Sequence, residues 1–381
     1  MKSIIKPCRE GYVLYDVSKR KYSKLSKDEC EIIEAGKIEE IDGSKIINVG
    51  FICDSSFKIQ KGNYFFIESH TPLKVFWDIT EACNARCIHC FTNAGEKASD
   101  ELTTKQVFSV IDDLVRNGIM SVAFSGGEPL IRDDFIDILQ YSSDKGMSIS
   151  FTTNGVLLSL DKIIKIIELH LKSVTISLDG FSQEISNRIR RGISVEKVKE
   201  NIKLLSQYAH YKNLEVNVRT TLSEINKMEI YDILKFCDDV GVSCLKVNNT
   251  NLWGRAKEKP FLRMEEQDFI STLIQVEKKS KEYRCRIELP IEKYLNTEAT
   301  SLNSEICTST IDTINILSNG DICACGFCEK KLIFGNIMKD ELTKIFAKSL
   351  PFDFCNEVCQ NCDIHKLSPN KRMTSATSFI D

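Results

Sequence analysis

What the chain lacks narrows it first. No apolar run reaches the ~18 residues needed to cross a bilayer, and the start, MKSIIKPCREGYVLYD, has no apolar core of the kind a signal peptide carries. Charge of neither sign dominates: 51 Lys and Arg against 54 Asp and Glu leave −3, which gives nucleic acid or an anionic membrane surface nothing global to grip. Repeats and low-complexity runs are missing too. No histidine or carboxylate pair stands out as a general acid or base, and His70, His170, His210 and His365 read as surface or packing residues. The expectation is a soluble, cytoplasmic protein with no nucleic-acid or membrane partner and no catalytic acid or base that can be named. At 381 residues, 42% of them hydrophobic, it holds enough apolar material for two or three domains.

Cysteine, by contrast, is abundant, with 16 in the chain. In a large chain without an export signal, clustered thiols bind metal or do chemistry more often than they pair. Cys83, Cys87 and Cys90 form one cluster, and Cys307, Cys323, Cys325, Cys328, Cys355, Cys359 and Cys362 a second. Cys8, Cys30, Cys53, Cys237, Cys244 and Cys285 are scattered and read as small buried hydrophobes. Two clusters suggest at least two sites.

From about 74 to 250 a strand-then-helix rhythm repeats, in about six units whose short apolar strands end in Gly, Asn, Asp or Thr. Such alternation implies a parallel sheet, open or curled into a barrel, with ligand-binding groups at the carboxyl ends of the strands. Cys83 to Cys90 follow the first strand, Ser125 to Pro129 the second, Thr153 to Gly155 the third and Leu178 to Gly180 the fourth. The flanks differ. Residues 1–70 read as a small separate unit, a hairpin (GYVLYDVSKRKYSKL) followed by a short helix. Residues 291–381 are Cys-rich, with INILSNGDICAC as a hairpin-like segment and SPNKRMTSATSFID as a disordered tail.

A structural zinc site closes its tetrahedron with four protein ligands, and the first cluster has three thiols. A neighbour of a ligand on an extended loop points away from it, which sets His89 aside as the fourth. Three thiolates on a four-iron cluster leave one iron open for a cofactor. Spacing alone leaves zinc and a redox pair open as well. A Gly-Gly turn lets a backbone approach a ligand closely, and Pro129 then sets the turn.

C-x3-C-x2-C after the first strand, followed by GGEP (Gly126 to Pro129) after the second, resembles the radical S-adenosylmethionine superfamily over residues 74–256. The resemblance implies a partial (β/α)6 TIM-like barrel over 71–290, with Cys83, Cys87 and Cys90 holding a [4Fe–4S] cluster that leaves one iron for S-adenosylmethionine. It assigns further cofactor contacts to His89, at the position of an aromatic beside the adenine, and to Ser125, Gly126, Gly127, Glu128 and Pro129. Thr153, Asn154, Ser177 and Asp179 would touch the methionine or ribose, and Arg219 a carboxylate. Trp253 to Ala256, WGRA, looks like a segment common in peptide-modifying members. The C-terminal run is similar to the auxiliary-cluster extension called SPASM or twitch. Its pieces are Cys307, the NGD turn at Asn319 to Asp321, Cys325, GNI at Gly335 to Ile337, and Cys359 with Cys362. Those four thiols would hold one auxiliary cluster. No cysteine follows Cys362 where the two-cluster pattern has more, and Cys323, Cys328 and Cys355 are extra. Two auxiliary clusters are the alternative to one, and a zinc ribbon the alternative to both.

The N-terminal unit is similar in outline to the leader-peptide recognition domain of peptide-modifying radical enzymes. Together these imply an α/β enzyme that cleaves S-adenosylmethionine reductively and abstracts hydrogen from a ribosomally made peptide, forming a thioether or other cross-link. Its partners would be a precursor peptide with its leader and a flavodoxin or ferredoxin as electron donor. Oxidation of a protein side chain, as in sulfatase maturation, and a step in cofactor biosynthesis are alternatives with the same chemistry. A zinc-stabilised binding protein is the remote one.

Overall fold

Alternating strand and helix periodicity produces two sheets of different kind. The computed structural model describes residues 3–8, 11–17, 19–34, 64–66, 71–290, 313–323 and 333–347. At the N-terminus β1 (Ser3–Cys8), β2 (Gly11–Asp16) and β3 (Lys21–Lys24) are followed by α1 (Lys27–Glu34) and β4 (Tyr64–Phe66). They form a four-stranded sheet in the order β3-β2-β1-β4. The hairpin read from the sequence is the antiparallel β2–β3 pair, closed at Asp16↔Lys21.

The second sheet is built from β5 (Lys74–Thr80), β7 (Ser121–Gly126), β8 (Ser148–Thr153), β9 (Ser173–Ser177), β11 (Glu215–Leu222) and β12 (Cys244–Asn249). These are the six sequence-predicted strands, and they pair in parallel in that order. Helices α2 (Thr104–Arg116), α3 (Phe135–Asp144), α4 (Leu160–Glu168), α5 (Gln183–Ile189), α6 (Val195–Ala209), α7 (Ile230–Asp239) and α8 (Glu266–Ser280) connect and flank them. Two short strands, β6 (Arg86–Cys87) and β10 (Arg190–Arg191), pair outside this sheet. Past the barrel come β13 (Arg286–Glu288), β14 (Thr313–Ile316), β15 (Asp321–Cys323), β16 (Ile333–Asn336) and α9 (Leu342–Ala347).

Two features depart from the expectation. β13 adds a further parallel strand beside β12. The C-terminal hairpin does not stand apart, because β14 joins β5 in parallel and carries β15 and β16 into the same ten-stranded sheet.

Helix starts follow local chemistry. Thr103 caps α2 in a capping box with Gln106, and Ser159, Ser182 and Ser194 cap α4, α5 and α6 through their hydroxyls. Along each strand, odd and even residues part to opposite faces. Val75, Trp77 and Ile79 on β5 lie fully inside the apolar core with Val122, Phe124, Ile149 and Phe151. Rings of Trp77, Phe124, Phe135 and Phe151 run in contact, their centroids 5.4–5.8 Å apart. Each such side chain contributes about 2–3 kcal/mol by leaving water. Cys237, Cys244 and Cys285 are buried near that core, as their scattered spacing suggested.

The opposite face is polar. Register places Phe76, Ala123, Ser150, Ser173 and Glu215 in one row, and Asp78, Ser125, Thr152, Thr175, Asn217 and Cys244 in the next. A closed barrel fills its interior with branched apolar residues; this one keeps small hydroxyls and charges. The N-terminal sheet is tied to the barrel's lower loops. Tyr15 Oη donates to Gly146 O at 2.9 Å, Tyr22 Oη to Gly118 O at 2.9 Å, and Arg20 to Met147 O and His170 O at 3.0 Å each.

Candidate active site

The rim of the barrel carries the residues singled out from the sequence. Cys83, Cys87 and Cys90 lie on the loop that follows β5, half-buried except for Cys87, which is buried. Backbone contacts shape this loop: Cys83 N donates to Gly95 O at 2.9 Å, and β6 pairs with β10 through Arg190↔Cys87. Arg255 in WGRA clamps it, donating from Nε to Cys87 O and from Nη1 to Ala94 O, each at 2.8 Å. Gly254 has φ +55°, and a Cβ there would sit 2.4–2.5 Å from the carbonyls of Phe91 and Cys90. WGRA therefore works as a brace for the cysteine loop, for which only glycine fits.

The Gly126–Gly127 turn presses on the same loop. A Cβ at Gly126 would lie 2.3 Å from Thr80 O, and one at Gly127 2.1 Å from Ala82 O. Gly127 N donates to Thr80 O and Glu128 N to Ala82 O, both at 2.7 Å. Two backbones touching is the visible reason for the pair. Glu128 is buried and accepts from Thr153 Oγ1 at 2.7 Å, Asn154 N at 2.6 Å and Leu130 N at 3.1 Å. Burial raises its carboxyl above the usual range against those three bonds. Pro129 opens a short 3-10 turn over Pro129–Ile131. Asn154 Nδ2 reaches Asn84 Oδ1 in the cysteine loop at 2.7 Å, so the turn after β8 also holds that loop. Ser125 Oγ donates to Asp78 Oδ1 at 2.9 Å. A narrow crevice lies beside the two glycines, lined by Asp78, Thr80, Glu81, Thr92 and Ala94, with Leu317 and Ser318 from the C-terminal hairpin.

Charge at the rim is organised by Asp179. Its Oδ1 accepts from Thr221 N at 2.6 Å, and its Oδ2 faces Arg190 Nε at 2.5 Å and His89 Nε2 at 3.3 Å. Burial alone would raise this carboxyl, but Arg190 and then His89 hold it well below the usual carboxylate range. Asp179 thus spends its oxygens on neighbours and orients them. Arg190, absent from the sequence reading, sets Nη1 3.8 Å from Cys87 Sγ. Burial pushes the Cys83 and Cys87 thiols up; Arg190 pulls both down, and the sulfurs raise one another. Its only sequence signal is the RIRRG run that begins nine residues after Asp179. Asn84 had no signal of its own, whereas Arg255 lies within the WGRA segment singled out from the sequence.

Ser177 and Arg219 are register partners on β9 and β11, on the inner face. Arg219 Nε is shielded from solvent and has no partner, as has His89 Nδ1 at the rim. Of the second cluster, Cys323 is buried in β15. Cys307, Cys325, Cys328, Cys355, Cys359 and Cys362 lie outside the described residues, as does the tail segment.

A cluster with S-adenosylmethionine fits these residues. Three thiols share one electrostatic neighbourhood with the half-buried Arg190, a glycine turn lies against their loop, and a buried imidazole nitrogen lacks a partner. Among the described residues no three His, Cys, Asp or Glu side chains converge as a single-ion site would need; a four-iron cluster asks for thiolates that each bind a different iron. No helix among the described residues is long and apolar enough to cross a membrane.

Residues 77–237 match the Radical SAM superfamily. Mycofactocin maturase of Mycolicibacterium smegmatis is 29% identical over 163 residues, 43% of this chain and 41% of that protein. Fe-coproporphyrin III synthase of Methanosarcina barkeri is 37% identical over 117 residues, 30% of this chain and 29% of that one. The chain thus spans under half the length of these curated relatives. Among solved structures, SuiB of Streptococcus suis bound to the precursor peptide SuiA superposes with a TM-score of 0.70 at 16% identity, covering 96% of this chain and 93% of that one.

Proposed function

We propose that this chain, whose residues 77–237 form a radical SAM domain, is a cytoplasmic peptide maturase acting on a ribosomally made precursor. Cys83, Cys87 and Cys90 would hold a [4Fe–4S] cluster with one open iron, beside the crevice at Gly126–Gly127. The chemistry such a cluster would supply when bound is an electron for the reductive cleavage of S-adenosylmethionine, which would permit hydrogen abstraction from the substrate. The chain's own residues do the holding. Arg190 sets positive charge against the thiolates, Asp179 fixes Arg190 and His89, and Arg255 keeps the loop's carbonyls satisfied. Arg219 and Ser177 on the inner face are offered to the cofactor or substrate.

Residues 1–70 would be the leader-recognition unit, 71–290 the barrel and 291–381 the auxiliary-cluster unit with one cluster on Cys307, Cys325, Cys359 and Cys362. Among the described residues β3 ends the N-terminal sheet and offers an edge to which a leader can add as a strand. The observation that carries the peptide reading is this docked sheet, within a chain that superposes on SuiB over 96% of its length. The second reading, cofactor biosynthesis, draws on the 37% identity to Fe-coproporphyrin III synthase; the N-terminal sheet favours the first. The electron donor would be a flavodoxin or ferredoxin.

Anaerobic purification with iron, sulfide and zinc analysis tests this. The expected result is about eight irons per chain, falling to about four in Cys83→Ala/Cys87→Ala/Cys90→Ala. Zinc without sulfide would remove the enzyme reading. Cofactor cleavage without any product from a precursor peptide, alongside turnover of a small molecule, would favour the second reading.

A further inference from the structure

The loop that carries the three thiols has an outer side that the site itself does not use. β6 and β10 form a two-stranded antiparallel ribbon in which Arg190 stands opposite Cys87 and Arg191 opposite Arg86. Residues directly opposite on such a pair point to the same side, and successive residues to opposite sides. Cys87 and Arg190 therefore share the inner side, where Arg190 Nη1 lies 3.8 Å from Cys87 Sγ. Arg86 and Arg191 share the outer side, and both are exposed. Arg188, in the last turn of α5 just before the ribbon, is exposed as well. Arg86 is anchored on the cysteine loop, its Nη1 donating to Cys83 O at 2.8 Å and to Ala85 O at 3.3 Å. Among the described residues no ion pair engages Arg86, Arg188 or Arg191. Of the acids near them in the chain, Glu196 is paired with Lys199, and the exposed Glu81, Glu96 and Glu184 pair with none of the three. Like charges set directly opposite each other on a strand pair cost stability. Arg86 and Arg191 thus weaken the ribbon that carries a cluster ligand unless an outside anion offsets them.

We propose that this outer face docks an acidic one-electron carrier protein, whose carboxylates meet Arg86, Arg188 and Arg191; this rests on the radical SAM reading of the site. Electron transfer weakens steeply with distance, so a carrier has to seat where the thiolates come nearest the surface. On these arginines it stands one residue from Cys87 and one hydrogen bond from the Cys83 backbone. One electron leaves the carrier for the cluster held on the three thiolates, and no bond or proton changes hands. Encounters of this kind are small and polar, and opposite charge speeds them more than it tightens them. The N-terminal sheet ties to Gly118 and Gly146, where the chain enters β7 and β8. The ribbon lies past the exit of β5, so a leader on that sheet and a carrier on the ribbon approach from opposite ends of the strands.

The probe is flavodoxin, an acidic flavin protein, presented to the full chain loaded anaerobically with iron and sulfide. Interferometry reads the binding of oxidised flavodoxin, and stopped-flow bleaching of the visible absorbance reads reduction by reduced flavodoxin. Arg188→Glu/Arg191→Glu is expected to weaken binding and slow reduction about tenfold at ~0.01 M ionic strength. At ~1 M, where the Debye length is about 3 Å, variant and wild type should converge. Arg188→Lys/Arg191→Lys keeps the charge and should stay within about twofold of wild type. Reduced methyl viologen, a small cation that needs no docking, should reduce every variant at an undiminished rate. Equal flavodoxin rates in wild type and the charge-reversed variant would overturn the surface. An equal loss with viologen would overturn it too, by placing the effect at the cluster. Acetylated hexaglutamate that loses binding in the variant while flavodoxin does not would assign the face to an acidic peptide instead of the carrier. Iron and sulfide are counted on each preparation, and flavodoxin binding is repeated on the unloaded chain. A chain that takes up no cluster then fails the radical reading, while flavodoxin binding still reads the surface.

Discussion

The two faces of the ten-stranded sheet are made from the same strands and follow opposite rules. On the outer face Val75, Trp77, Ile79, Phe124 and Phe151 meet helices and leave no polar atom to satisfy except Trp77 Nε1. On the inner face the alternate residues of those strands are Lys74, Phe76, Asp78, Ser125 and Thr152, and polar atoms at Asn217 and Arg219 lack partners. Stability is concentrated on one side of each strand and unmet binding capacity on the other. A protein whose function is to enclose a ligand needs that division, because a filled interior would leave the ligand no place.

The comparison breaks most visibly on the outer side. Trp77→Ala removes a fully buried ring from the aromatic chain and is expected to cost about 3–5 kcal/mol in urea unfolding. A loss under about 1 kcal/mol would mean the outer face is not the stabilising one. At the rim, where the faces meet, Arg255→Met leaves the carbonyls of Cys87 and Ala94 without their donor. The expected cost is about 1–3 kcal/mol, with faster amide exchange over residues 83–95 and fewer irons retained after anaerobic reconstitution. Arg255→Lys restores charge without the fork and should recover little of the iron. Unchanged exchange in Arg255→Met would show that the loop holds itself.

The same division explains what could be read from the sequence. The barrel strands and most of their helices were legible because their alternation is local and strong. The helix α5 was not, since QEISNRI is short and polar. Parallel pairing of β14 with β5 joins residues more than two hundred positions apart, and no local pattern encodes it. Cys83, Cys87, Cys90 and the Gly126–Gly127 turn were visible as motifs, and the fold brings them to one rim. Asp179 was read as a cofactor contact, while the structure places its carboxylate among Thr221, Arg190 and His89. That role depends on where Arg190 comes to rest, which residue type alone does not tell.

The smallest effect is also the one whose sign separates the two faces. Lys74→Met keeps the apolar stem and removes the charge. Outside, such a change at a paired surface lysine would be neutral or slightly destabilising. Inside, the native Lys74 ammonium titrates at about 8 against 10.5 for an ordinary lysine. Between those values the native protein binds fewer protons than the unfolded chain, so its stability rises with pH across the window. Below about 8 both states are protonated and the wild type bears the whole cost of the buried charge. Lys74→Met is therefore expected to be more stable than wild type at pH 7, by about 1–2 kcal/mol after allowing for solvent screening. That gain should fade toward zero as the pH rises through 10.5. Urea unfolding of both proteins at the two ends of the window measures it. A destabilised variant at pH 7 would mean that Lys74 already has a counter-charge, and the inner face would then be as complete as the outer one.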